Sequence, residues 1–529
     1  MKRVAALFSV LAVLLALLSC ATGPSGDQEL VKRAVNAMGG ADAIAGIKTI
    51  WVKAGVKQWE PEQSDVPGGE MRFTNEATVE IVQDRASRAS RTDLVKSFAY
   101  PTPRTFTYSE IVTPDAGYVI GVDSNGRNAE SLKSSPPAHS MSGVRLATTQ
   151  RESRRGSSTS LMLAMLNNPD QVRPAADIVA GGRSYPALSY EGFIVAFDLQ
   201  TGLPVRVRTL DYDYVWGDVN YDVVFSDWRE FAGVKIPMNR KYELNGLVIT
   251  EVMLTDVRVN PQVDTARLQI PAAVRANAAK PASGNVPYQW VIRRQFIGTY
   301  MDSDNVSYDL KGSPGLRLQE VAPGAHHVVG GTHNSLLVEM SDHLVMVDAP
   351  VSDAQSNWVV NAARSRFPGK PIRWVVLTHH HMDHTGGVRG YLTDGATLVV
   401  GQGAAGHFRR VLAAPTTRNP DLAVRDFSRV PIMEVPESHV ITDSRGRQVM
   451  AYLIDNPHAK GMLMGWVPDA KLGFVTDIWS PGPPLPGKPN PGLLSVVNAV
   501  NKAGLQPERF AGGHGSTDEY AKLVRLAGQ

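Results

Sequence analysis

Four histidines and one aspartate fall within the six residues His379-His380-His381-Met382-Asp383-His384. Imidazole and carboxylate are the donors that zinc and its neighbours bind most readily. The run before them, 371–378, is short and mostly apolar and predicts a buried strand. His379 and His381 alternate past His380, so both can face one cation. Asp383 and His384 come a turn later and can face another. Gly386 and Gly387 then let the chain turn tightly into a helix. Packing explains a single buried histidine, but not this hexamer. A His-rich surface scavenger does not fit the strand before it or the glycines after it.

Other apolar runs also end on metal-binding residue types. The run 449–454 leads to His458, 471–476 to Asp477, 509–513 to His514 and 344–347 to Asp348. Strand ends are where a layered sheet protein builds its site. In order and spacing, the series resembles the metallo-β-lactamase fold superfamily over residues 316–529.

That resemblance implies a four-layer αβ/βα sandwich. It implies His379, His381 and His458 at a first metal, Asp383, His384 and His514 at a second, and Asp477 bridging both. Asp348 would buttress the metal loops through hydrogen bonds. A carboxylate at 477 is similar to the superfamily's dinuclear hydrolases, such as glyoxalase-type thioesterases and lactonases. The implied cofactor is two Zn²⁺ per chain, with iron or manganese also suited to the donors. The implied chemistry is attack by a bridging hydroxide on an ester, thioester, lactone or amide of a small molecule. Asp383 would orient the nucleophile and pass a proton to the leaving group. His380 reads as an oriented non-ligand. His326, His327 and His333 read as polar surface or supporting residues, and the 333–334 loop could border the cleft. Two other readings stand beside hydrolysis. One is a mononuclear-iron, sulfur-oxidising dioxygenase on the same core, and the other is a non-catalytic membrane-tethered carrier.

At 529 residues the chain predicts more than one folded unit. A formal charge of +3, with no Lys/Arg block, argues against a nucleic-acid partner. Oligomeric state has no signal. Lys2 and Arg3 precede an apolar run, Val4 to Leu18, that predicts an export signal. It ends at Leu17-Leu18-Ser19-Cys20, similar to a bacterial lipobox with Cys20 as the lipidated residue. Ala21 after it favours the outer membrane, so the chain is expected to face the periplasm as a lipoprotein. Cys20 is the only cysteine, which excludes an internal disulfide and a Cys metal ligand.

The expected organisation is α+β and multi-domain: signal 1–20, β-rich domain 21–271, linker and connecting segment 272–315, sandwich 316–529. Residues 28–38 predict an amphipathic helix stopped by Gly39-Gly40. From 49 to 260 the apolar period is two, which predicts antiparallel strands. A helix followed by such a sheet resembles the half-barrel of periplasmic lipoprotein-carrier proteins. Residues 134–142 and 151–160, rich in Ser, Pro and Arg, predict loops. The proline-rich stretch 480–491 predicts a stiff loop beside the metals, before a helix at 493–503.

Overall fold

Along Thr49–Glu60 the side chains of Val52 and Ala54 are buried while Lys53, Gly55 and Lys57 face out, the period of a half-buried strand. Strands of this kind build a 13-stranded antiparallel sheet from the N-terminal half. Its first long strand, Thr49–Glu60, pairs on one side with Arg72–Asp84 and on the other with the last, Leu247–Val259. The structure, a computed structural model, describes residues 26–124, 130–284, 286–302, 315–419, 422, 425–483 and 490–527. The predicted export signal, Cys20 and the centre of the 480–491 loop lie outside the described residues.

Helices Gly26–Ala37 and Ser158–Asn167 bring Val31, Val35, Leu161 and Met162 onto Val52, Ala54 and Val223. The chain's own helices therefore cover this apolar face of the sheet, where a carrier would offer it to a ligand. Residues 151–160, expected as a loop, belong to helices Gly143–Gly156 and Ser158–Asn167. The cause is interior pairing of charge. Ser142 caps the first helix by accepting from the Arg145 backbone N–H at 3.2 Å. Arg145 meets Asp123 at 2.6 Å, and Arg155 meets Glu152 at 2.9 Å. Arg155, which by sequence suggests solvent, is buried here.

The C-terminal half folds as two sheets, of seven and six strands. Leu344–Val347 is buried on both faces, as a parallel-paired strand inside a layered protein must be. Between the sheets lie Leu336, Val345, Val376, Val399, Leu463 and Phe474. Helix Asp353–Arg366 covers the outside of one sheet, and Pro491–Lys502 covers the other. The order of layers is helix, sheet, sheet, helix, the sandwich expected.

The two halves share one core. Tyr212, Tyr214 and Val215 of the large sheet cluster with Val359, Leu377 and Leu398 of the sandwich. Helix Tyr288–Phe296 lies between them with Trp290, Val291, Arg293 and Arg294 buried, so this part of the expected connecting segment is interior structure. Arg293 is fully buried, holds Glu60 at 2.9 Å from Nε and also pairs with Asp213. No helix among the described residues is long and apolar enough to cross a membrane.

Removing one partner of a buried ion pair costs about 3–5 kcal/mol because a charge is left without a counterion. Arg293→Ala is therefore expected to lower unfolding stability by about that amount, read from urea denaturation. A loss under about 1 kcal/mol would show that the network does not anchor the helix to the large sheet.

Candidate metal centre

The candidate ligands gather where strands end. Leu344–Val347 and Ile372–Val376 run parallel and deliver Asp348 and, past Thr378, His379. In the facing sheet Leu472–Val475 and Arg509–Gly512 also run parallel, and deliver Asp477 and His514. Asp348 at φ 68° and Asp477 at φ 60° both adopt the left-handed region. Val351 does so at φ 66°, a strained state for a β-branched residue. Close packing fixes the glycines nearby: a Cβ on Gly387 would sit 2.1 Å from Ser356 Oγ, and one on Gly513 2.4 Å from Thr476 Oγ1.

Two clusters result. His379, His381, His458 and Asp477 bring one donor atom each within 4.8 Å of one another, and His333, His384 and His514 do the same. Asp477 touches both. Its Oδ2 is 3.0 Å from Nε2 of His379 and 3.0 Å from Nε2 of His458. Its Oδ1 is 2.7 Å from Nε2 of His514 and 3.2 Å from Nε2 of His384.

The donors fit cations better than they fit each other. His379 Nε2 is buried and, though near Asp477, makes no hydrogen bond of acceptable geometry. His381 Nε2 donates to the Ser64 carbonyl at 3.0 Å, which leaves Nδ1 as a lone pair 3.0 Å from His458 Nε2. His384 Nδ1 sits 3.2 Å from Asp348 Oδ2, an acceptor that Thr378 also uses. When His384 donates there, its Nε2 lone pair faces the Asp477 carboxylate. Facing lone pairs need a proton or a metal between them.

Electrostatics agree. Burial, then the charges of neighbouring imidazoles, hold His381 well below the usual histidine range. Burial also holds His379 down, against the pull of Asp477. Burial opposes ionisation of Asp477, but His384, His458 and His514 outweigh it and keep that carboxyl far below its ordinary value. Burial likewise opposes a charge on His384, yet Asp477 and Asp348 push its pKa well up. Without metal, a proton occupies the place that a cation would take.

Asp383 is placed differently from the other expected ligands. Its Oδ1 accepts from Gln63 Nε2 at 2.7 Å, and its Oδ2 lies 3.2 Å from His333 Nε2. It stands at the rim of the second cluster, while His333 joins the converging donors. His333 is buried, with its ring 4.5 Å from that of His514, and burial pushes its pKa down to about 3. His326 and His327 are also buried, not surface residues, because their strand Ala325–Val329 is covered on both faces. His380 belongs to neither cluster and donates to the Ser64 carbonyl at 2.9 Å.

Residues missed by sequence reasoning come from the N-terminal half. The turn Pro61–Gln63 joins Thr49–Glu60 to Arg72–Asp84 and enters the centre with Glu62, Gln63 and Ser64 all buried. Tyr100 donates its hydroxyl proton to Gln63 Oε1 at 2.6 Å. Glu62 meets His407 at 3.3 Å. No spacing marks these positions, and Ser64 acts through its backbone. A third group, Asp123, His139 and Asp302, is joined by Arg145, whose guanidinium supplies the positive charge there.

Fold and site define a metal-binding centre held between the two sheets of a four-layer sandwich. Residues 328–521, in the C-terminal half of the chain, match the model of the metallo-beta-lactamase superfamily. The chain is 29% identical over 73 residues to the 2,4-dinitroanisole O-demethylase subunit alpha of Nocardioides sp.; the match covers 14% of this chain and 22% of that one. The flavodiiron core of Flv1 from Synechocystis sp. is similar at 16% identity and a TM-score of 0.32, over 40% of this chain and 60% of that one. The inverting sec-alkylsulfatase Pisa1 from Pseudomonas sp. is similar at 16% identity and a TM-score of 0.31, over 42% and 41%. The chain thus spans less than two thirds of each.

Outer residues that orient a ligand are commonly worth 10- to 100-fold in metal affinity. Asp348→Asn removes the charged acceptor of His384 Nδ1 and is expected to weaken metal binding about 10- to 100-fold in chelator competition. Unchanged affinity would show that Asp348 only braces the backbone.

Proposed function

We propose that this chain is a dinuclear metal-dependent hydrolase, with zinc as the metal and an ester, thioester, lactone or amide of a small molecule as substrate. One observation carries the reading: the carboxylate of Asp477 gives one oxygen to each of two histidine clusters. A pair of bound zinc ions supplies a water ionised near neutral pH and a Lewis acid for the scissile carbonyl.

The chain's own groups set up the rest. His379, His381 and His458 would hold one ion, His384 and His514 the other, and Asp477 would serve both. His333 or Asp383 would complete the second group. Burial opposes ionisation of Asp383, but the hydrogen bond from His333 and the charge of His384 keep it ionised. An ionised Asp383 can accept a proton from the nucleophile, and in this reading it orients the nucleophile and passes that proton on to the leaving group. Tyr100 stays protonated, since burial and then Asp477 and Asp383 push its pKa up. Its proton holds Gln63 Oε1, which turns the amide N–H onto Asp383. The reading includes export and lipidation at Cys20, which rest on residues 2–20 of the sequence.

Elemental analysis of purified protein is expected to find about two zinc ions per chain, with turnover in a chromogenic panel of esters, lactones and thioesters. Asp477→Ala should remove metal and lower kcat/KM at least about a thousandfold, as loss of a central catalytic group does. His139→Ala, in the Arg145 network, should keep both. Full turnover in Asp477→Ala sinks the bridging role, and one iron per chain with oxygen uptake points to a dioxygenase instead.

A further inference from the structure

Arg293 and Arg294 are neighbours on helix Tyr288–Phe296, and the side chains of both are fully buried. Their surroundings differ. Arg293 is saturated by Glu60 and Asp213. The other buried arginines are also bonded: Arg145 to Asp123, Arg155 to Glu152 and the Tyr221 carbonyl, Arg389 to the carbonyls of Tyr214, Val215 and Val411. Among the described residues Arg294 has no hydrogen-bond partner on Nε, Nη1 or Nη2. The nearest acid, Asp383, leaves its Oδ2 3.9 Å from Nη1, beyond hydrogen-bond reach. Both oxygens of that carboxylate are already engaged, by Gln63 and His333.

A buried guanidinium carries five N–H donors, and leaving them unmet is among the costliest states a protein interior can hold. Retaining it next to a metal centre implies a partner that arrives from outside. A flat fork of donors selects a group with two coplanar oxygens, namely a carboxylate, sulfate or phosphoryl oxyanion. The charge balance agrees. Two divalent cations against Asp348, Asp383, Asp477 and a bound hydroxide leave the centre neutral, and the guanidinium of Arg294 remains without a counterion in hydrogen-bond reach.

We infer that Arg294 binds an oxyanion on the substrate, so that the bond cut at the metal centre belongs to an anionic ester or amide. This inference rests on the hydrolase reading and names its substrate class. Arg294 precedes residues 328–521, so the N-terminal part of the chain supplies specificity to the sandwich's chemistry.

Two measurements on zinc-loaded full-length protein test it. The first is calorimetric binding of inorganic sulfate to wild type, Arg294→Gln and Arg294→Lys, a readout that needs no turnover. Sulfate is expected to bind wild type, and at least about tenfold more weakly to Arg294→Gln, as when one partner of a buried charge pair is truncated. Sulfate held by the metals alone would bind both equally, and that result overturns the inference. The second compares the p-nitrophenyl monoester of glutaric acid with p-nitrophenyl valerate, which differ in a terminal carboxylate against a methyl. Wild type is expected to favour the carboxylate ester by about 10- to 100-fold in kcat/KM. In Arg294→Gln the ratio should fall toward one through KM. If Arg294→Gln does not fold, wild type still decides: no preference for the carboxylate ester overturns the inference. Turnover of neither ester by protein holding two zinc ions counts against the hydrolase reading, while Arg294-dependent sulfate binding would survive it.

Discussion

The Asp477 carboxylate is the constraint on which the rest of the centre depends. It gives one oxygen to each histidine cluster, and it does so from a left-handed turn at the end of a buried strand. Three neighbouring imidazoles outweigh the cost of its burial. That balance ties the two sheets together at their edges. His379 and His384 come from the sheet that contains Ile372–Val376, and His514 and Asp477 from the one that contains Leu472–Val475. A bridging anion between buried imidazoles is costly without compensating positive charge, so the fold is built around cation binding.

The second constraint is the backbone carbonyl of Ser64. It accepts from Nε2 of both His380 and His381, and so sets which nitrogen of His381 faces the cluster. The N-terminal sheet is therefore part of the centre and not a spacer beside it. Gln63 and Glu62 come with the same segment and reach Asp383 and His407, and Tyr100, past the strand Ala89–Phe98, holds Gln63. Trp290 and Arg293 on the intervening helix complete the join, one through the shared core and the other through Glu60.

How far the sequence disclosed this follows from how each residue acts. The strand within 371–378 was legible because its run is short, mostly apolar and bounded by Pro371, even though Arg373 is exposed. His379 to His384 were legible because donors at that density have no packing explanation. His458, Asp477 and His514 were legible because each follows an apolar run. His333 was not, since nothing in its local pattern separates it from His326 or His327. Ser64 works through an atom that every residue has. Gln63 meets Asp383 across a sequence separation of 320 residues, and no local period reports such a contact. Arg155 read as solvated because its charge is met inside the fold, by Glu152 one turn away and by the Tyr221 carbonyl on another element. Residues 288–296 read as a connector because their apolar face is shared between two halves that the sequence shows separately.

The strand Thr49–Glu60 that carries this segment sits inside the sheet, with Arg72–Asp84 on one side and Leu247–Val259 on the other. Its end cannot swing outward without unzipping two ladders. The wall over the histidine clusters is thus a fixed template, and the room beside them is decided when the sheet closes, long before any molecule arrives.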